Sequence, residues 1–82
     1  MNIKDEVYRV VAAQASVAIA DLSDNLLLID NLGMDSLDAV QVMMELEELF
    51  DLDPIDSKDM GTIEHGSIED LIKFIEKQVN NR

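Results

Sequence analysis

The sequence predicts an all-α fold, a small helical bundle that forms a single domain over residues 1–82. Three segments repeat apolar residues at intervals of three and four, the spacing of one helix face, and no two segments alternate as paired strands would. The composition is 48% hydrophobic but only 4% aromatic, with no tryptophan, which favours a core of aliphatic and methionine side chains. A chain of 82 residues has room for one such core.

The first helix is predicted over residues 3–15. Its inward positions are Ile3, Val7, Val10, Val11 and Gln14, with Lys4, Asp5 and Arg9 on the opposite side. Residues 16–35 then show no lasting period. Apolar residues scattered through them include Val17, Ile19, Leu22, Leu26 and Ile29. The run Leu26–Ile29 has the composition of a buried strand but no partner strand, so we predict a long connection that packs inward.

The second helix is predicted to begin at Asp35 or Ser36, both favourable N-cap residues. Asp38 places a negative charge in its first turn, where the helix dipole favours one. Apolar positions recur as far as Phe50, and Pro54 prevents any continuation of the helix.

Residues 52–66 contain proline, two glycines and several aspartates, and they predict only a short helical turn around residues 56–60. Ser67, with Asp70 three residues later, has the form of a capping box that opens the last helix. The apolar residues of that helix are Ile68, Leu71, Ile72, Ile75 and Val79. The bundle is therefore expected to contain three main helices and one short one.

The second helix carries more apolar residues than one buried stripe needs. The set expected to face the core is Ala39, Val42, Met43, Leu46, Leu49 and Phe50. A second set comprises Leu37, Val40 and Met44. Glu47 lies between the two sets, and an acid there resists full burial. We interpret the second set as an exposed partner surface bordered by acids, the alternative being that both sets are buried.

The formal net charge is −12, from 18 acidic and 6 basic residues, which disfavours nucleic acid and anionic membranes and favours basic protein patches. The absence of cysteine excludes a disulfide framework, a thiolate metal site and a cysteine nucleophile. The N-terminus lacks the features of a signal peptide, and no apolar run approaches the roughly 18 residues of a membrane span. We expect a soluble, monomeric, cytoplasmic protein without a metal site of its own.

Ser36 is the residue that stands out chemically, a hydroxyl at a predicted helix start, preceded by Gly33 and beside Asp35. A helix N-terminus offers unpaired N–H groups and a positive dipole end, which favour an attached phosphate. Taken alone, the more frequent explanation of such a serine is an ordinary N-cap.

The stretch Leu32-Gly33-Met34-Asp35-Ser36-Leu37 resembles the phosphopantetheine attachment site of acyl carrier proteins, whose pattern is Leu-Gly-x-Asp-Ser-Leu. The resemblance extends to the first helix, to the acidic second helix and to residues 67–75. Asn31 differs from the acid usual in the family, and Phe74 from its tyrosine. The segment between residues 51 and 66 is longer than in common fatty-acid carriers, which indicates a specialised pathway.

The resemblance implies an acyl-carrier-like bundle with 4'-phosphopantetheine attached to Ser36. A phosphopantetheinyl transferase would transfer this group from coenzyme A with the help of Mg²⁺. In that complex, Asp35 would help to hold the metal ion. The chain would then be a carrier and not an enzyme. It would present acyl thioesters to synthetases, transferases and synthases of fatty-acid, polyketide or related lipid biosynthesis. Basic patches on these partners are expected to meet Asp35, Leu37, Asp38, Val40, Met44, Glu45, Glu47 and Glu48.

The sequence agrees less well with other functions. The sequence lacks the base and orienting acid that a serine hydrolase needs beside its serine, because the only histidine, His65, lies in a predicted loop. No segment has the order of acids that a calcium-binding loop requires. An aminoacyl or peptidyl carrier, and a non-covalent acidic adaptor that uses Leu37, Val40 and Met44, remain as alternatives. The cargo and the pathway are not specified by the sequence.

Overall fold

The computed structural model describes residues 2–81, which form four α-helices joined by three connections. These are α1 (Ile3–Ala15), α2 (Ser36–Phe50), α3 (Ser57–Glu64) and α4 (Ile68–Asn80). A short 3-10 helix, Ile19–Asp21, lies within the first connection. The described residues contain an isolated bridge between Leu27 and Ser67 and no β-strand. The all-α prediction is confirmed, as are the bounds predicted for the first helix and the end of the second.

The core is aliphatic, as the composition predicted. Helix α1 packs against α2 and α4, and α2 packs against α3. The side chains below 2% exposure with the largest volumes are Leu28, Met43, Leu46, Ile68, Leu71, Ile75, Val7, Val10, Val11 and Val42. They come from α1, α2, α4 and the first connection, so these four segments share one apolar cluster.

The connection between α1 and α2 packs inward only from Leu22 onward. Leu22, Leu28 and Met34 are buried. Val17 is 37% exposed and Ile19 51%, so the expectation that they pack inward is wrong. Both lie between the end of α1 and Leu22, in a segment that includes the 3-10 helix Ile19–Asp21, none of whose residues is buried.

The connection is held by backbone bonds to the start of α4. Ile68 N donates to Leu26 O at 3.0 Å, and Glu69 N donates to Asp24 O at 2.9 Å. Leu28 N donates to Gly66 O at 3.2 Å. These bonds satisfy part of the first turn of α4, whose N–H groups lack acceptors within the helix.

Tyr8 of α1 adds a side-chain anchor to the same connection. Its hydroxyl donates to Asp24 Oδ1 at 2.5 Å, and Lys4 Nζ lies 3.5 Å from Asp24 Oδ2. The hydrogen bond to this carboxylate raises the pKa of Tyr8 to about 12. The same bond lowers the pKa of Asp24.

Helix α3 is longer than the turn predicted around residues 56–60. Asp56 caps it by accepting a hydrogen bond from Asp59 N at 3.0 Å, and Ile63 near its end is buried. Gly61 lowers intrinsic helix stability by about 1 kcal/mol relative to alanine, which is why the sequence favoured a shorter element. Packing of Ile63 into the core outweighs that local preference.

The start of α4 confirms the predicted capping box. Asp70 N donates to Ser67 Oγ at 3.2 Å, and Ser67 N donates to Asp70 Oδ2 at 3.0 Å. Ile68, Leu71, Ile72 and Ile75 are buried, and Val79 is half-buried. Within residues 2–81, no helix combines the length and apolar content needed to cross a bilayer.

Candidate functional site

The start of α2 presents Ser36 as the first helical residue, with an exposed side chain. Asp35 is the N-cap, and its Oδ1 accepts a hydrogen bond from Asp38 N at 2.8 Å. In return, Asp38 Oδ2 accepts from Asp35 N at 3.2 Å. This pair forms a capping box in which both side chains are aspartates. The cap role therefore falls on Asp35, which leaves the Ser36 hydroxyl outside the box.

The chain reaches Ser36 through a turn that is held to the core by backbone hydrogen bonds and by the buried Met34. Gly33 has a φ of 70°, in the left-handed region that glycine adopts at no steric cost. Its N–H donates to Ile29 O at 3.0 Å, and Met34 N donates to Leu28 O at 3.2 Å. Because the Met34 side chain is buried, the backbone just before Ser36 is fixed to the core while the serine points away from it.

Asp38 is also bound from α1. Gln14 Nε2 donates to Asp38 Oδ1 at 2.9 Å, so both carboxylate oxygens accept hydrogen bonds inside the protein. The bond from Gln14 lowers the pKa of Asp38, and the backbone N–H of Asp35 lowers it further. The spacing of α1 had placed Gln14 on its inward side without a function. The signal that could have identified it is an amide side chain on a helix face whose other residues are apolar.

The outward side of α2 carries the second apolar set. Leu37 is 67% exposed and Met44 55%, as predicted, whereas Val40 is half-buried. Val40 and Met44 border a hollow of about 320 Å³ between α2, the following loop and α3. The hollow is lined by Val40, Met43, Met44, Glu47, Pro54, Ile55 and Met60. Val40 is covered on one side because the loop folds back beside it.

The three glutamates of α2 lie in two different environments. Glu45 and Glu48 are exposed. Glu47 is half-buried, and its Oε2 accepts a hydrogen bond from Ile55 N at 2.6 Å. The prediction that Glu47 resists full burial agrees with this placement. The sequence did not indicate its bond to the loop, because the donor is eight residues away.

Apart from Val40 and Met44, the predicted site residues fall into two groups along one helix. Asp35, Ser36, Leu37 and Asp38 share the first turn of α2. Glu45, Glu47 and Glu48 lie in its last turns, about 15 Å further along the axis at 1.5 Å per residue. A partner would have to span most of the helix to contact both groups.

The first turn of α2 fits a phosphate-linked group. The Ser36 side chain is exposed, and helix geometry leaves the N–H groups of Ser36 and Leu37 without acceptors inside the helix. These groups and the positive end of the helix dipole favour a phosphodiester at this position. The acids Asp35 and Asp38 repel such an anion, but their carboxylates already accept hydrogen bonds from the backbone.

Comparison with known proteins matches this site. The family model of the phosphopantetheine attachment site covers residues 5–75. The chain is 38% identical over 82 residues to an acyl carrier protein of Campylobacter hominis, with both chains fully covered. It is 40% identical over 76 residues to that of Campylobacter fetus subsp. fetus, covering 93% of this chain and 95% of the relative. The acyl carrier protein of Sulfurovum sp. is 36% identical over 76 residues, with 93% and 97% covered.

A helical bundle with an attachment-site match over residues 5–75 defines a phosphopantetheine-bearing carrier protein. The relatives narrow this class, and the chain belongs to the acyl carrier protein family. Its function is to carry acyl groups, and its cofactor is 4'-phosphopantetheine. Members of this family carry substrates and are not themselves catalysts, which agrees with the carrier interpretation of the sequence.

Proposed function

We propose that Ser36 Oγ is the atom to which 4'-phosphopantetheine is attached. The observation that carries this assignment is the exposure of Ser36 at the first position of α2, with the cap role taken by Asp35. The cofactor, once bound, supplies a terminal thiol that holds the acyl group as a thioester. The protein's own contribution is to hold the Ser36 hydroxyl at the surface, at the positive end of a helix.

We also propose that Asp35 helps a phosphopantetheinyl transferase to hold Mg²⁺ beside Ser36. Asp35 is exposed and uses Oδ1 for the cap. Its exposure leaves the carboxylate within reach of a metal ion held by the enzyme. Carboxylate oxygens are the ligands that Mg²⁺ prefers, and the metal usually keeps several waters as well.

The attachment is tested by intact-mass spectrometry after incubation with coenzyme A, Mg²⁺ and a transferase of broad specificity. We expect one added phosphopantetheine on the wild-type protein and none on Ser36→Ala. Ser23→Ala, which removes an exposed hydroxyl from the first connection, serves as the control and is expected to be modified like the wild type. Modification of Ser36→Ala, or its absence from the wild type, would contradict the proposal.

The outward side of α2 is proposed as the surface on which the transferase and acyl-transferring enzymes dock. The acids Asp35, Asp38, Glu45, Glu47 and Glu48 border the apolar residues Leu37, Val40 and Met44. Exposed acids raise association rates with basic partners, and the apolar side chains supply contact area. Support comes from the exposure of Leu37, Met44, Glu45 and Glu48.

This docking surface is tested by charge reversal. Glu48→Lys on α2 is compared with Glu76→Lys on α4, because both residues are exposed and both changes raise the net charge by two units. We expect Glu48→Lys to raise the transferase KM for the carrier about tenfold at low salt, with little change at high salt, since the steering is electrostatic. Equal effects of the two variants would show that net charge matters and that the surface does not.

We propose that residues 1–82 act as one monomeric carrier domain in the cytoplasm. The single apolar cluster shared by α1, α2, α4 and the first connection supports one domain. The absence of cysteine is compatible with a reducing compartment. Size-exclusion chromatography with light scattering should return the mass of one chain, about 9.2 kDa before modification.

A further inference from the structure

A polar contact from α1 reaches the turn that presents Ser36. Gln14, one residue before the last residue of α1, donates from Nε2 to Asp38 Oδ1 at 2.9 Å. Asp38 Oδ2 accepts from Asp35 N at 3.2 Å, and Asp35 Oδ1 accepts from Asp38 N at 2.8 Å. One hydrogen bond from α1 thus reaches Asp38, and two more join Asp38 to Asp35 in the capping box.

The contact restricts the Asp38 side chain in a way that the capping box alone does not. A carboxylate that accepts one hydrogen bond can still rotate about that bond, whereas two donors from different directions select one rotamer. Gln14 is half-buried, and a half-buried amide retains its acceptor more firmly than a solvated one. The lowered pKa of Asp38, for which this bond is the main cause, agrees with a donor held in place.

Asp35 and Asp38 carry like charges within one helical turn. Their repulsion favours arrangements in which the two carboxylates separate, and such arrangements open the capping box. The Gln14 amide supplies a donor to one of the two acids and so offsets part of this repulsion. Ser36 lies between the two acids in the chain, so its backbone follows whatever arrangement they take.

We propose that Gln14 is a positioning residue for the modification of Ser36. Its amide holds Asp38, and through the capping box also Asp35, so that the Ser36 hydroxyl and the Asp35 carboxylate meet the transferase in one arrangement. The inference rests on the proposed role of Ser36. It adds a residue outside the attachment motif, on another helix, that controls how readily the hydroxyl reacts.

A purely structural tie between α1 and α2 makes a different prediction. These helices already share the apolar contacts of the core, so a single polar bond adds little to their packing. A structural tie would lower the fraction of folded protein and leave the folded molecules reacting at the normal rate. A positioning residue changes the turnover of molecules that are fully folded.

Three substitutions separate these cases. Gln14→Met keeps the size of the side chain and removes the donor, and Gln14→Glu turns an acceptor toward the Asp38 carboxylate. Gln14→Arg keeps a donor and serves as the rescue. Gln78→Met, at a half-buried position on α4, is the matched control. All variants are assayed with the transferase, coenzyme A and Mg²⁺ at a temperature where circular dichroism shows them folded.

We expect Gln14→Met to lower kcat/KM for phosphopantetheine transfer about tenfold, mainly through kcat, with a larger loss in Gln14→Glu. In Gln14→Arg, kcat/KM should recover to within about threefold of the wild-type value, and in Gln78→Met it should equal the wild-type value. In parallel, carbon-detected NMR titration should show the Asp38 carboxyl pKa rising toward its ordinary value in Gln14→Met. Combining Gln14→Met with Asp38→Asn should cost little more than Asp38→Asn alone, because both changes break the same bond.

Wild-type kinetics in folded Gln14→Met and Gln14→Glu would overturn the inference while the assignment of Ser36 stood. A loss in Gln78→Met as large as in Gln14→Met would likewise overturn it, since the effect would then be general. Absence of modification in the wild-type protein, or its persistence in Ser36→Ala, would overturn the proposed function and this inference together. The Ser36→Ala sample is therefore run beside the Gln14 series.

Discussion

The two ends of helix α2 are closed by the same kind of bond, a carboxylate that accepts a backbone N–H, but over different distances along the chain. At the start, Asp35 and Asp38 cap each other within three residues. At the end, Glu47 Oε2 reaches Ile55 N in the following loop, eight residues on. The first closure is local. The bond from Ile55 N to Glu47 exists only when the loop folds back beside the helix, and it adds to the local bonds that Asp51 N and Leu52 N donate to Glu47 O.

Because of this difference, we expect the two ends of α2 to differ in how far they depend on the packing of α3. The capping box joins residues three apart in the chain and makes no bond to α3, so the position of Ser36 is maintained even if α3 loosens. Beyond Leu52, the loop after α2 and the hollow beside Val40 depend on the bond from Ile55 N to the Glu47 side chain and on the apolar residues that line the hollow. We therefore expect the start of α2, at the proposed attachment residue Ser36, to be the more persistent end and the hollow to be the more adaptable one.

The largest expected effect comes from a substitution that breaks both ends at once. Leu46 is fully buried in the middle of the core, whereas Met44, two residues earlier, is 55% exposed. Leu46→Ala should reduce the free energy of unfolding by about 2–5 kcal/mol, most of the roughly 5 kcal/mol expected for so small a domain. Met44→Ala should change it by about 0.5 kcal/mol or less. Urea unfolding followed by circular dichroism measures both, and similar costs would disprove the assignment of faces.

An intermediate effect is expected from the end of α2 alone. Glu47→Ala removes the acceptor of Ile55 N–H and should cost about 1–2 kcal/mol. Amide hydrogen exchange should accelerate at Ile55 and remain unchanged at Asp38, since the start of the helix is closed independently. Glu48→Ala, which truncates an exposed neighbour, is the control. Faster exchange at both ends would mean that the two closures are coupled.

The smallest effect concerns the connection that leads to Ser36. Tyr8 is the only tyrosine and the chain has no tryptophan, so ultraviolet absorbance reports its ionisation alone. With the pKa of Tyr8 raised to about 12, its bond to Asp24 stabilises the fold below the ordinary tyrosine pKa of about 10. That contribution is lost as the pH rises through about 12. Asp24→Asn should move the titration midpoint toward 10, and Asp21→Asn should not.

A tyrosine midpoint near 10 in the wild-type protein would remove the anchor of this connection. The approach to Ser36 would then be held by the backbone bonds to α4, by the buried Leu28 and Met34 and by the turn at Gly33. The comparison of the two ends would change accordingly, because the start of α2 would be closed locally but less firmly joined to α1.

Features that depend on neighbours in the chain were predicted from the sequence. The helix of residues 3–15, the capping box at Ser67 and the start of α2 at Ser36 follow from residue types at fixed spacing. The separation of Leu37 and Met44 from the core face also followed, because helical periodicity fixes which residues share a side. The attachment motif lies in one short stretch and was visible for the same reason.

Tertiary structure decided the features that join distant residues. The bonds from Gln14 to Asp38 and from Glu47 to Ile55, the half-burial of Val40 and the full length of α3 all required the packed fold. Local preferences are worth about 1 kcal/mol or less for each residue, so burial in a shared core overrides them and places polar groups together that no spacing rule relates. The sequence by itself was enough to propose Ser36 as the point at which a phosphopantetheine arm is attached. The fold alone decided which side chains hold that position and which surface lies beside it.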